Sequence, residues 1–169
     1  MKHNTSGATK KEQAQGMVEF ALSLPLLLML FFGIIEFGRL LFFYSATVTA
    51  TREAARFGSA AGISDGGTEF YKDCNGIRSA ATRIGELVGI GNSDISIHYD
   101  RPEDTPLGEF ADCDPAFSIN VAGERIKVGD RIIIRIAAQF QPVVPLVNVP
   151  PLTLQSETKR TILEDVRVR

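Results

Sequence analysis

Hydrophobic residues along this chain are concentrated in one uninterrupted run near the N-terminus. Residues 20–35 contain no charged side chain, and Glu19 immediately precedes them. Apolar residues then continue beyond Glu36 and Arg39. A bilayer core of about 30 Å requires roughly 20 apolar residues at the helical rise per residue. The pattern therefore predicts a transmembrane helix over residues 18–41, with Glu36 and Arg39 near one interface.

The flanks of this run favour a retained anchor with its N-terminus in the cytoplasm. A cleavable secretory signal would have a shorter apolar region, about 7–15 residues, ending at a small-x-small site. Three lysines precede the span against one acid, and positive charge beside a first span holds that side in the cytoplasm. We expect a cytoplasmic leader at residues 1–14 and an extracytoplasmic position for everything from about residue 45.

The helical pattern extends well past the predicted membrane span. Small residues recur every four positions and fall on one helix face: Ala46, Ala50, Ala54 and Gly58. Such a ridge allows another backbone to approach closely, either from a neighbouring subunit or from this protein's own domain. We predict one long helix over residues 15–62, preceded by a polar, disordered leader over residues 1–13 and ended by Gly62 and the glycines after it.

The remaining residues predict an α+β fold. A second helix is expected at residues 75–88, where Ile77, Ala81, Ile84 and Val88 form a stripe at helical spacing. Alternating or apolar segments predict strands, and residues 100–116 are expected to form a proline-containing acidic loop. The predicted strands lie at residues 94–99, 117–121, 131–140 and within 152–163. This order suggests a small extracytoplasmic domain over residues 63–169 with an antiparallel sheet.

Composition limits the possible functions. The chain has 169 residues, a net charge of −2, no Trp and two His. These features argue against a nucleic-acid interface and against a His-rich metal site. Cys74 and Cys113 both fall on the predicted outer side, where an even pair favours a disulfide. The bridge would tie the second helix to the acidic loop.

The sequence offers little support for an enzyme site, a metal or a cofactor. His98 alternates with Ile97 and Tyr99 in a strand and should face solvent, which leaves no base beside a nucleophile. Asp112 and Asp114 flank Cys113 and would raise the pKa of its thiol rather than activate it. The acids of this region have no calcium-loop spacing and are expected to be solvated: Asp100, Glu103, Asp104, Glu109, Asp112 and Asp114.

The carboxylates at the ends of the span are the stronger candidates for function. Glu36 and Arg39 are three residues apart and can pair on one helix face, either within the chain or with another subunit. Glu19 has no nearby cation in its own helix. If the leader were cut near Gln15, the new α-amine of one subunit could pair with Glu19 of a neighbour and set the register of stacked subunits. Alternatively, Glu19 simply lies among lipid headgroups.

Several segments resemble a known family at these residues. Q-G-M-V-E-F, A-L-S-L-P-L-L-L, G-I-I-E-F-G-R-L and A-T-R-E-A-A-R-F-G are similar to TadE-like proteins, which are pseudopilins of the Tad (tight adherence) pilus related to type IV pilins. The resemblance is dense over about residues 13–62 and looser over the strands at the C-terminal end. Residues 63–128 resemble no family.

The resemblance implies a processing site and partners. A prepilin peptidase cuts pilin-like precursors on the cytoplasmic side, usually after Gly, so that the glutamate becomes the fifth residue. Here that cut falls between Ala14 and Gln15, with Ala14 in place of Gly; a cut after Gly16 would make Glu19 the third residue. The implied role is a minor, non-enzymatic pseudopilin of the inner membrane, acting in adherence or secretion. The implied partners are the peptidase, other pseudopilins, the major pilin, the assembly platform and membrane lipid. The alternative is an unprocessed single-span surface protein whose outer domain binds a ligand or partner.

Overall fold

The structure is a computed structural model that describes residues 6–102, 109–113, 119–121, 126–143 and 150–163. Side chains are described for residues 14–102, 113, 126–143 and 150–163. In these residues a long helix α1 (Ser6–Gly58) is followed by helix α2 (Cys74–Gly85) and five strands. The strands are β1 (Ile95–Asp100), β2 (Glu109–Cys113), β3 (Ile119–Val121), β4 (Arg131–Phe140) and β5 (Leu152–Thr161). The predicted α+β class is confirmed.

The chain divides into two compact units, which we call the N-terminal unit and the C-terminal unit. Of the described residues, the N-terminal unit contains α1 up to Leu40 together with Pro142 and Val143. The C-terminal unit contains the rest of the described chain from Leu41 onward. Helix α1 therefore contributes to both units.

Helix α1 begins earlier than the sequence pattern predicts. Residues 6–13 are helical, so the prediction of a disordered leader is wrong for that part; residues 1–5 lie outside the described residues. The leader contains good helix formers directly before the span, including Lys10, Lys11 and Glu12. Because these residues extend an existing helix, they do not bear the cost of nucleating a new one.

Helix α1 also ends four residues before the predicted end at Gly62. The amide of Leu163, just beyond β5, donates to the carbonyl of Ser59 at 3.3 Å. By Gly62 the backbone has a φ of 103°, a conformation that glycine adopts without the penalty paid by other residues. The turn out of the helix is thus fixed by a contact from the far end of the chain.

The strands form one antiparallel sheet in the order β3-β2-β1-β4-β5 within the described residues. β4 matches its predicted bounds, and β1, β3 and β5 fall within about two residues of theirs; residues 117–118 lie outside the described residues. The predicted loop at 100–116 is wrong at residues 109–113, which form β2. The register places Ile97 opposite Ile134, so alternate residues of β1 and β4 share the buried face.

The core of the C-terminal unit lies between the helices and one face of the sheet. Ile132, Ile134 and Ile136 of β4 are buried with Ile77 of α2 and the last turns of α1. At one end of β4, the rings of Phe43 and Phe140 meet edge to face with centroids 5.2 Å apart. Burial of apolar area on this scale supplies the main stabilisation of a small domain.

Candidate functional site

Glu19 lies on the exposed surface of α1 at the start of the apolar run. The side-chain amide of Gln15 donates to its Oε1 at 3.0 Å, and the hydroxyl of Ser23 donates to its backbone carbonyl at 2.8 Å. The nearest polar partner within its own helix is therefore a neutral amide one turn away. Among the described side chains, the hydrogen-bond donor to this carboxylate is neutral, so a cation supplied by another molecule could still approach it.

The predicted processing site occupies the same exposed stretch. Ala14, Gln15 and Gly16 are exposed, and a Cβ placed on Gly16 would meet no atom within 4 Å. No described side chain covers the bond after Ala14 or the bond after Gly16, and both bonds lie within α1. Gln15, the residue that follows the predicted cut, is also the hydrogen-bond donor to Glu19.

Glu36 and Arg39 form an ion pair within the N-terminal unit. The Arg39 guanidinium contacts both carboxylate oxygens of Glu36, at 2.6 and 2.9 Å. The backbone amide of Val143 also donates to Glu36. The pair is thus made within the chain, as one of the two interpretations proposed, and Glu36 additionally holds a backbone group from the segment after β4. Nothing in the sequence pattern pointed to Val143.

The small-residue ridge is covered by the C-terminal unit itself. Ala46 is 8 % exposed, and Ala50 and Ala54 are fully buried. A Cβ on Gly58 would lie 2.5 Å from Ile132 Cδ1, which is closer than any side chain permits. Of the two interpretations of the ridge, the structure shows the packing against the protein's own domain.

The apolar part of α1 satisfies the requirements for a membrane span by length and composition. An 18-residue window of the helix has a mean hydropathy of 2.3, and none of it is buried within the described residues. Comparison with known families gives a match to the model described as TadE-like protein over residues 14–56. Residues 14–56 are TadE-like. The resemblance found in the sequence is confirmed for this segment, whereas no curated protein and no solved structure matches the chain significantly.

The TadE-like segment begins at Ala14 and includes Glu19, the apolar run, the ion pair and most of the ridge. It ends two residues before α1 does. The segment thus spans the described elements that carry the assembly and processing candidates. The disulfide and the buried polar group around Arg78 lie C-terminal to it.

The predicted disulfide is confirmed outside the TadE-like segment. Cys74 and Cys113 are bonded, with Cα atoms 5.7 Å apart. Cys74 is the first residue of α2, and Cys113 is the last residue of β2. The bridge therefore ties the second helix to a strand, not to a loop as predicted.

A buried arginine beside the disulfide was not recognised in the sequence. Arg78 is 5 % exposed, and its guanidinium donates to the carbonyls of Asn92, Ile95 and Cys113 at 2.8, 2.6 and 2.9 Å. One side chain of α2 thus holds the turn before β1, the first residue of β1 and the end of β2. Arg78 follows Cys74 by one helical turn and therefore lies on the same, buried face of α2; this spacing could have predicted that Arg78 is buried.

Tyr99 completes this interior polar group. Its hydroxyl donates to the carbonyl of Tyr71 and lies 3.4 Å from the Cys113 sulfur. Burial, with a smaller contribution from the charge of Tyr71, raises the pKa of the Tyr99 phenol far above its ordinary value. The phenol therefore remains a neutral hydrogen-bond donor at physiological pH, which suits a structural rather than a catalytic role.

The register of β1 and β2 places some of the residues considered for catalysis and cation binding on neighbouring strands: His98 lies opposite Asp112, and Asp100 lies opposite Glu109. His98 is half-buried rather than fully exposed to solvent. Asp100 belongs to β1 and accepts two hydrogen bonds from the Arg131 guanidinium, at 2.7 and 2.9 Å, so its carboxylate is already neutralised. Glu103, Asp104 and Asp114 lie outside the described residues, and the side chains of Glu109 and Asp112 are not described. Within the described side chains, no group of three His, Cys, Asp or Glu could hold a metal ion.

Removing the disulfide should destabilise the C-terminal unit. In the double variant Cys74→Ser, Cys113→Ser, the unfolded chain is no longer closed into a loop of about 40 residues and gains conformational entropy. The unfolding free energy should therefore fall by about 3–4 kcal/mol. Urea unfolding of the full chain in mild detergent, followed by near-ultraviolet circular dichroism of the tyrosines, would measure the loss. Wild-type protein in excess reductant is the matched control and should approach the stability of the variant. Equal midpoints for oxidised wild type and double variant would contradict the expected stabilisation.

Proposed function

We propose that this chain is a minor, non-enzymatic pseudopilin that takes part in assembling a Tad-type pilus. The observation that carries the proposal is the placement of Glu19. This exposed carboxylate heads an apolar helix, its hydrogen bond within the helix comes from the neutral amide of Gln15, and the segment around it is TadE-like. The pilin-like role implied by the resemblance requires this arrangement at the mature N-terminus.

The proposal includes a topology. The apolar part of α1 crosses the bacterial inner membrane once, with the lysine-containing leader in the cytoplasm and the C-terminal unit outside. The disulfide between Cys74 and Cys113 supports this orientation, because disulfides persist in oxidising compartments outside the cytoplasm. The direction of the span and the presence of the protein in the pilus are part of the proposal.

The proposed partners follow from the same segment. The prepilin peptidase would act on the exposed stretch around Ala14 and Gln15. Other pseudopilins and the major pilin would pack beside the exposed apolar surface of α1, and the inner-membrane platform would receive the processed protein. In this arrangement the burial of the small-residue ridge leaves the helix surface of the span, rather than the ridge, for contacts between subunits.

Processing of the leader tests the proposed function. We expect the mature chain isolated from membranes to begin at Gln15, with Glu19 as its fifth residue. Mass spectrometry of the N-terminal peptide is preferred to Edman sequencing, because an N-terminal glutamine can cyclise and block Edman chemistry. Ala14→Gly should be processed at least as completely as the wild type.

Two results would contradict this prediction. A mature chain that still begins at Met1 in cells with an active prepilin peptidase would exclude processing. A chain that begins at Met17 would show that Gly16 directs the cut and that Glu19 is the third residue. Expression without the peptidase is the control, and there the leader should be retained.

The alternative is an unprocessed, single-span surface protein whose outer domain binds a ligand or partner. Ala14 is the observation that favours it, because Gly usually precedes the cut in pilin-like precursors. Under this alternative the leader stays attached in every background, and changing Glu19 has no effect on piliation. N-terminal mass spectrometry and the Glu19 variant therefore distinguish the two functions.

A further inference from the structure

The segment that joins β4 to β5 has an unusual composition for an outer loop. Residues 136–156 contain no Asp, Glu, Lys, Arg or His. Residues 141–151 read Q-P-V-V-P-L-V-N-V-P-P, with five aliphatic side chains and four prolines. Loops exposed to water are normally rich in polar residues, so this composition suggests that the segment meets a less polar environment.

The structure connects this segment to the span. The backbone amide of Val143 donates to the carboxylate of Glu36, and both residues belong to the N-terminal unit. Glu36 is the first charged residue after the uncharged run of residues 20–35. The contact therefore lies at the end of that run, where the hydrocarbon core meets the polar interfacial layer.

The backbone and side-chain groups around Val143 are suited to the boundary between the hydrocarbon core and the headgroups. Backbone amides without partners are costly where water is scarce, and proline has no amide to satisfy. Pro142 therefore brings no donor, and the donor of Val143 is bound by Glu36. Arg39 pairs with Glu36 and is long enough to extend its guanidinium toward headgroup phosphates. The Val143 side chain is 70 % exposed to its surroundings.

We propose that residues 142–143 lie in the headgroup layer of the bilayer, where Glu36 holds the backbone of Val143 against the outer end of the span. The protein would then contact the membrane at a second place besides α1. This proposal rests on the transmembrane part of the proposed function. Lipid is the expected occupant because Val143 is exposed at the level of the span and its neighbourhood in the sequence is uncharged. A neighbouring protein subunit is the competing outcome.

The test compares two exposed valines in the full-length protein. Single variants Val143→Cys, Val128→Cys and Phe31→Cys would each carry a polarity-sensitive fluorophore; the native cysteines are paired and should not react. Val128 is 49 % exposed and lies in the turn before β4, so it is the aqueous control. Phe31 lies in the middle of the span and is the membrane control. The proteins would be placed in phosphatidylethanolamine–phosphatidylglycerol liposomes.

At Val143 we expect quenching by lipids that carry a spin label near the headgroup, and an iodide quenching constant at least about threefold smaller than at Val128. Glu36→Ala should raise iodide quenching at Val143 towards the value at Val128. Glu36→Gln should not, because the amide oxygen can still accept the hydrogen bond from Val143.

Each other outcome contradicts the proposal in a recognisable way. Iodide quenching at Val143 equal to that at Val128, with Phe31 protected, would place the segment in water while leaving the span intact. Protection from iodide without quenching by spin-labelled lipid would indicate a protein contact instead of lipid. Loss of protection at Phe31 would show that α1 does not span, and the transmembrane part of the proposed function would fail with the proposal.

Discussion

Replacing Arg78 with methionine is expected to lower the unfolding free energy of the C-terminal unit by about 3 kcal/mol, because hydrogen bonds made by a charged group contribute about 1.5–3 kcal/mol and buried acceptors left without partners cost about 1–3 kcal/mol. Arg78 donates to three backbone carbonyls from separate segments. Methionine fills a similar length but offers no donor. The carbonyls of Ile95 and Cys113 would then lose these bonds in the interior, where acceptors without partners are costly, and the carbonyl of Asn92 would lose its bond nearer the surface.

Arg83→Met is the matched control for this change. Arg83 lies on the same helix, α2, but is exposed, so the same substitution there should alter stability by less than about 0.5 kcal/mol. Urea unfolding of the full chain in detergent, read from tyrosine near-ultraviolet circular dichroism, would compare the two variants. Similar midpoints for Arg78→Met and Arg83→Met would show that the three hydrogen bonds contribute little net stability.

The part of the chain up to the end of α1 was largely predictable because the sequence features that specify it are local. A sixteen-residue uncharged run can be read without tertiary information, and the family resemblance covers the same residues. The bounds of α1 were less predictable. Its start depends on how far a helix can extend into a polar leader, and its end depends on Leu163, a residue more than one hundred positions away.

In the C-terminal unit, the pattern of apolar and polar residues predicted some strands correctly and missed another. β4 was predicted with its observed bounds because a run rich in isoleucine has a strong strand pattern. β2 was missed because acids and prolines around residues 109–113 resemble a loop. Residues 109–113 form a strand because they pair with β1 and because Cys113 is covalently bonded to Cys74. Both constraints come from residues that are distant in the sequence.

The candidate site was predicted in its residues but not in its contacts. Position alone identified Glu19, Glu36 and Arg39, because carboxylates and cations at the ends of a span are conspicuous. The Arg39 donor to Glu36 was predicted, but the Gln15 donor to Glu19 and the Val143 donor to Glu36 were not. Gln15 has no distinguishing pattern in the sequence, and the Val143 donor is a backbone amide, which no side chain indicates, so only the folded structure reveals these two donors.

The Glu19→Gln variant is expected to abolish or strongly reduce piliation while the protein still inserts and folds. Glutamine preserves the shape of the side chain and its ability to accept the hydrogen bond from Gln15, but it removes the negative charge. If Glu19 pairs with the α-amine of a neighbouring processed subunit, loss of that pair would cost about 1–3 kcal/mol per contact. Because 1.4 kcal/mol corresponds to a factor of ten in affinity, the affinity for copurifying pilus partners should fall by about 5- to 150-fold.

The measurement requires piliation, partner recovery and the membrane level of the variant in the same cells. Glu86→Gln is the matched control, since it removes the same charge from an exposed residue beyond α2 and should leave piliation unchanged. Gln15→Ala separates the helix-internal hydrogen bond from the charge. If assembly depends on the charge, Gln15→Ala should reduce piliation far less than Glu19→Gln. Normal piliation and partner recovery in Glu19→Gln, at wild-type membrane levels, would show instead that Glu19 is a residue of the lipid interface with no part in assembly.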